Sequence, residues 1–130
     1  MREIKVRGIP YEWDQFIYGN YVEYKGSYFI YTEMYEKATH IEILSQVKVH
    51  PDTIGQFTGL KDKHGKEIYE GDIVRQNTDG KDFVVKWCDE EAGFNLYTLT
   101  DGVFQFGSVG WSNKIIGNIH ENPEVLESTL

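Results

Sequence analysis

The sequence has one cysteine, three prolines and no long apolar run, and its basic residues are outnumbered. A single cysteine, Cys88, excludes an internal disulfide; set in the apolar run 82–88, it reads as a packing residue. No stretch approaches the roughly 18 apolar residues of a membrane helix. The charged start Met1-Arg2-Glu3-Ile4-Lys5 stands where a secretory signal would be apolar. These features lead us to expect a cytoplasmic protein with no membrane partner. Lys and Arg number 13 against 21 Asp and Glu, a formal net charge of -8. Residues 1–65 hold 8 against 9, residues 66–120 hold 5 against 9, and residues 121–130 hold 0 against 3. A C-terminal half of that sign repels phosphate backbones, because nonspecific DNA affinity comes mainly from Lys and Arg displacing counterions. Nucleic acid is therefore a disfavoured partner.

What is abundant is aromatic and turn-forming. Nine Tyr, seven Phe and three Trp make up 15% of the chain, with 13 Gly among them, a mixture that favours short strands joined by turns over long helices. A length of 130 residues suits one domain, or a domain with a subdomain. Ile4 and Val6 alternate with Lys5 and Arg7 as a short strand that Gly8-Ile9-Pro10 ends. Residues 16–24 and 28–34, dense in Tyr, Phe, Ile and Val, flank Lys25-Gly26-Ser27 as a hairpin with apolar groups on both faces. Residues 41–49 put Ile41, Ile43, Ser45, Val47 and Val49 on one face and Glu42, Gln46 and Lys48 on the other, with Leu44 breaking the polar face. The only longer helical pattern is a weak one at 33–40. Pro51-Asp52 marks a boundary between an N-terminal β-hairpin subdomain, 1–50, and a second region, 51–130; the two could also behave as one domain over 1–130.

In the second region Asp62-Lys63-His64-Gly65 has the Asp and Gly of a tight turn. Tyr69-Glu70-Gly71-Asp72-Ile73-Val74 has the bend that precedes the first strand of SH3-like barrels. Turn residues then separate apolar segments at 73–76, 82–88, 94–99, 103–109 and 114–120, which suits a small closed or partly closed barrel. Asn122-Pro123-Glu124 has the N-cap, proline and acid of a short C-terminal helical turn.

Motifs for chemistry are weak. Asp62, Glu70 and Asp72 form an acidic trio, but turn aspartates ordinarily bond backbone amides, and no nucleophile lies nearby. His40, His50, His64 and His120 have no metal-site spacing. Ser27, Ser45, Ser108 and Ser112 lack a nucleophile elbow, and Gly55 and Gly59 stand as G-x-x-x-G with no helix after them. No catalytic residue, metal or cofactor is expected, and the protein is read as not an enzyme. Phe83, Val85 and Trp87 read as core. Together with Trp87, the residues Tyr97, Phe104, Phe106 and Trp111 have the composition of a peptide groove, with Phe106 and Trp111 as its exposed candidates.

Residues 53–74, TIGQFTGLKDKHGKEIYEGDIV, resemble the core signature of the YopX family of bacteriophage and prophage proteins, with Ile54, Phe57 and His64 in place of Val, Tyr and Asn. The segment Ile115-Ile116-Gly117-Asn118-Ile119-His120-Glu121-Asn122-Pro123 is similar to the family's closing block, with His120 where Tyr is usual. The structural signature is then Thr58, Gly59, Asp62, Gly65, Gly71, Asp72, Gly117 and Asn118. The resemblance implies a phage or prophage accessory protein acting in the host cytoplasm, and it brings no reaction or ligand with it.

The expected fold is mainly β: an N-terminal strand and hairpin subdomain packed on a C-terminal SH3-like small barrel. The expected function is a non-enzymatic protein-interaction module, a homo-oligomer or a binder of a host or phage protein, through Tyr18, Tyr21, Phe29, Tyr31, Phe106 and Trp111. The alternatives are a nucleic-acid module using Arg2, Lys5, Arg7 and Lys25 beside stacking aromatics, and an acidic DNA mimic directed at a host DNA-binding protein.

Overall fold

A computed structural model describes residues 3–77, 80–99, 102, 104–105 and 109–122. The chain is mainly β, as expected, and falls into two units, Met1–Gln56 and Phe57–Leu130. The helical turn expected after Asn122 lies outside the described residues.

The N-terminal unit holds β1 (Val6–Gly8), β2 (Ile17–Tyr24), β3 (Ser27–Glu36) and β4 (Ile41–Lys48), followed by a 3-10 turn at Pro51–Thr53. The first half of β2 pairs with β1, Gly8 opposite Ile17 and Val6 opposite Gly19. Its second half pairs with β3, from Asn20 opposite Tyr31 to Tyr24 opposite Ser27. The change of partner falls at Gly19, where a Cβ would come within 1.9 Å of the Tyr31 carbonyl oxygen. The two-residue turn between β2 and β3 has positive φ at both Lys25 and Gly26, 50° and 78°, the backbone that matches the twist of a hairpin.

β3 continues to Glu36, residues 37–40 form the turn to β4, and the two strands pair from Phe29 opposite Lys48 to Glu36 opposite Ile41. The helical pattern read there is therefore strand and turn; β-branched and aromatic neighbours prefer the pleated ladder. Among the described residues, β3 beyond Tyr31 pairs only with β4. The core of this unit is Val6, Ile17, Ile30 and Val49, packed by Tyr28, Val47 and Ile54. Gly55 and Gln56, which open β5 (Gly55–Lys61), pair with β1.

The C-terminal unit contains the rest of β5, then β6 (Glu67–Tyr69), β7 (Asp72–Gln76), β8 (Asp82–Cys88), β9 (Gly93–Thr98), β10 (Phe104–Gln105) and β11 (Asn113–Asn118). The last five form an antiparallel sheet in the order β10-β9-β8-β7-β11. Among the described residues no ladder joins β10 to β11, so the sheet is open as described rather than a closed barrel. Ile68, Val74, Phe83, Val85 and Leu96 make its core, with Phe94, Val109 and Ile115 packed against them. Trp87, read as core by alternation with Phe83 and Val85, is instead 45% exposed. It sits at the turn end of β8, beyond the core, edge-on to Phe94 at 5.2 Å, and donates its indole N–H to Asp89 at 2.7 Å.

Candidate functional site

Two regions compete for the role of functional site, one in each unit. In the C-terminal unit the signature residues meet around two buried carboxylates. Asp62 opens the turn whose Gly65 N–H bonds the Asp62 carbonyl at 3.0 Å. Its Oδ1 accepts the N–H groups of His64 and Lys66 at 2.8 and 2.9 Å, and its Oδ2 accepts that of Ile115, 53 residues on, at 3.1 Å. Burial pushes this carboxyl's pKa up. The three N–H bonds, from Ile115, Lys66 and His64, outweigh burial and hold it below the ordinary carboxylate value. Asp72, also buried, accepts the Tyr69 N–H at 2.8 Å. Between them Gly71, at φ 94°, donates to Val85 of β8 and accepts from Ile119 after β11. Thr58 accepts the Leu60 N–H and donates to the Ile68 carbonyl at 2.8 Å, bridging the bulge that Gly59 makes at φ 84°.

The closing block adds Gly117 and Asn118. A Cβ at Gly117 would lie 2.7 Å from the Asn122 Oδ1. The Asn118 amide bonds the turn that follows it: Oδ1 accepts the His120 and Glu121 N–H groups, and Nδ2 donates to Glu121. Asn113 is a signature-like residue that the sequence pattern did not single out. It is fully buried, accepts the Gly110 N–H on Oδ1 and donates from Nδ2 to Gln76; a buried Asn just after a Gly-x-x turn was the available signal.

These carboxylates are thus occupied by backbone donors that fix strand geometry. Among the described residues no three His, Cys, Asp or Glu side chains gather to hold a metal ion. Cys88 is buried, its thiol 3.5 Å from Glu90 Oε2. A hydrogen bond with Cys88, then burial, pushes the Tyr97 phenol up to about 12.

The N-terminal unit carries the exposed apolar surface. Tyr18, Tyr21, Val22, Tyr24, Ile41, Ile43 and Leu44 are all exposed. Because opposed residues of a ladder share a face, the register sorts them. Tyr18, Val22, Phe29, Tyr31 and Leu44 lie on one face, where Tyr31 donates to Gln46 Oε1. Tyr21 lies on the other face with buried Ile30, its ring stacked on Tyr28 at 6.1 Å. The proposed surface residues Tyr18, Tyr21, Phe29 and Tyr31 are therefore gathered in one unit but split across two faces, with Phe29 and Tyr31 half-buried. Trp111, 79% exposed, belongs to the other unit, and Phe106 lies outside the described residues. Of the basic residues in the nucleic-acid alternative, Arg7 is buried with its guanidinium 4.3 Å over Phe16, Lys5 pairs with Glu3, and Lys25 lies over Tyr24; Arg2 is outside the described residues.

Beside β4 the loop 10–13 borders a cleft of about 480 Å³, lined by Tyr11, Trp13, Met34, Gln46, Val47 and Lys48 among others. Tyr11 packs on His50 at 4.0 Å, and the Lys48 ammonium lies over its ring.

The architecture defines a class first: an antiparallel-β protein whose C-terminal unit is tied by a Gly-Asp turn joining β6, β7, β8 and the segment after β11. The YopX protein family matches residues 7–127, and the chain belongs to that family. Among solved structures it is similar to the crystal structure of protein EF1440 from Enterococcus faecalis, at 23% identity and a TM-score of 0.60, over 97% of this chain and 99% of that one. That likeness is one of fold. No curated protein matches the sequence.

Proposed function

We propose that this YopX-family protein is a non-enzymatic interaction module, a phage or prophage accessory protein whose N-terminal unit associates with a second copy of the chain. One observation carries the reading: Tyr18, Val22, Tyr24 and Leu44 are exposed on one face of the β2-β3-β4 ribbon, beside half-buried Phe29 and Tyr31. Soluble monomers rarely leave such contiguous apolar surface wet, and closed symmetric assemblies are the commonest way to cover it. The paired acids of the signature do not compete as a catalytic reading, since their oxygens accept backbone N–H groups. Sedimentation velocity across the micromolar range is the test. A mass that rises above the 15.1 kDa chain with concentration supports self-association. A single-chain mass throughout removes it and assigns the ribbon to a different protein partner.

A further inference from the structure

We infer that the loop at residues 10–15 and the outer half of the β3-β4 ribbon form a groove for an extended, proline-rich peptide segment with an arginine at one end. The groove belongs to the N-terminal unit and lies on the face opposite the one assigned above to self-association. In the ladder Val47 opposes Ile30 and Ile43 opposes Met34, so all four share the face of buried Ile30. Tyr18, Val22 and Leu44 share the other. Ile41 follows Ile43 with the same parity. Both isoleucines are exposed, and covering the opposite face leaves them so. Val47, Met34, Ile43 and Ile41 thus form an apolar track that runs outward from the core of the unit.

The loop walls one end of this track. The cleft of about 480 Å³ is bounded by Tyr11 and Trp13 on the loop and by Met34, Val47 and Lys48 on the strands. A second cleft, of about 620 Å³, is lined by Tyr11, Glu12, Trp13, Asp14 and Gln15, and so shares the Tyr11–Trp13 ridge with the first. Both rings of the ridge stand exposed, yet the loop is fixed from several sides. Pro10 bridges to Val49, the Trp13 N–H donates to the Pro10 carbonyl at 3.3 Å, and the His50 N–H donates to the Ile9 carbonyl at 2.9 Å. The Tyr11 ring packs on that of His50. Exposed aromatic rings held in this way lose little entropy when a ligand covers them.

Charge and the state of the strand edge define the ligand. Lys48 belongs to the first cleft, its ammonium over the Tyr11 ring. The second cleft has Glu12 and Asp14 and no base in its lining, and neither acid makes an ion pair among the described residues. A guanidinium fits there, since it pairs with carboxylates and stacks on an indole, and a net charge of -8 draws a basic segment in. Beside the loop the outer edge of β4 is already taken by Pro10 and Ile9, so an added strand gains no ladder there. A polyproline II segment needs none: its backbone is solvated, its conformation is set before binding, and its rings pack on aromatic walls. The track from Val47 to Ile41 runs about 20 Å at the strand rise, which about six or seven residues of that helix span.

The probe is a synthetic peptide, Pro-Leu-Pro-Pro-Leu-Pro-Arg, titrated against the full chain and followed by calorimetry and by the NMR signal of the Trp13 indole N–H. Saturable binding that shifts this signal is expected. Trp13→Ala should weaken it about tenfold or more, and Ile43→Ser, on the track but away from the loop, about threefold to tenfold. Exchanging the peptide's arginine for glutamate, a change that leaves the protein untouched, should abolish binding. Glu12→Gln combined with Asp14→Asn should weaken the arginine peptide about fivefold and flatten its salt dependence. Leu44→Asp, on the opposite face, should lower self-association and leave peptide affinity unchanged. No binding at millimolar peptide overturns the inference, as does binding that Trp13→Ala leaves intact or that the glutamate peptide matches. Tighter binding by an amphipathic helical peptide than by the proline-rich one also overturns it.

Discussion

Replacing Asp62 by Ala strips acceptors from three backbone N–H groups, those of His64, Lys66 and Ile115. The loss should be about 2–4 kcal/mol at neutral pH, read by urea unfolding, since a buried unsatisfied donor costs more than a hydrogen bond returns. The same residue sets a pH dependence. Its folded pKa lies below the ordinary value, so its contribution is complete above the unfolded pKa of about 4 and fades as pH falls through the folded value. The stability gap between wild type and Asp62→Ala should accordingly narrow on acidification below that point, and a gap that widens would contradict the assignment. Two glycines separate dihedral strain from steric exclusion. At Gly65, φ is 81° and an added Cβ would meet no atom within 4 Å, so Gly65→Ala should cost only the left-handed penalty of about 1–2 kcal/mol. Gly19→Ala drives a methyl into the Tyr31 carbonyl and should cost about 3 kcal/mol or more, visible as a larger fall in the unfolding midpoint.

At the scale of the strand, β4 should show a two-residue alternation in amide hydrogen exchange. Ser45 and Val47, bonded toward β3, should be protected at every concentration. Leu44 and Gln46, whose N–H groups point away from β3, should exchange faster. Uniform exchange along the strand would contradict the β3-β4 register. In β7 and β8, Arg75 opposes Asp82 in the ladder and grips it with two bonds, at 2.9 and 3.2 Å. That exposed pair contributes more to register than to stability. Register was also the level at which the sequence misled. Tyr18 and Tyr21 differ in parity and so cannot share a face, a point the dense aromatic run concealed because both of its faces are apolar.

For the molecule as a whole, the net charge of -8 separates the readings. Two copies of like charge repel, so raising salt from tens to hundreds of millimolar should strengthen an association held by apolar contacts. Binding to nucleic acid would weaken over the same range as counterion release loses its driving force. Measuring the dimer Kd and retention on single-stranded DNA against salt distinguishes them; retention that dominates at low salt and vanishes at high salt would favour the nucleic-acid alternative.

By itself the sequence determined the family, the mainly β class, the turns at Gly26, Gly65 and Gly71, and the strands of the C-terminal sheet. These follow from local rules: positive φ at glycine, aspartates that accept nearby amides, and alternation within one strand. Only the tertiary structure decided that Asp62 reaches Ile115, that Asn113 is buried, that Trp87 lies beyond the core, and that Ile41, Ile43 and Leu44 belong to an edge strand. Each of these depends on which distant segment lies alongside. A strand with the same alternation is core in the middle of a sheet and an open surface at its margin, and that difference is made by the neighbours the fold supplies.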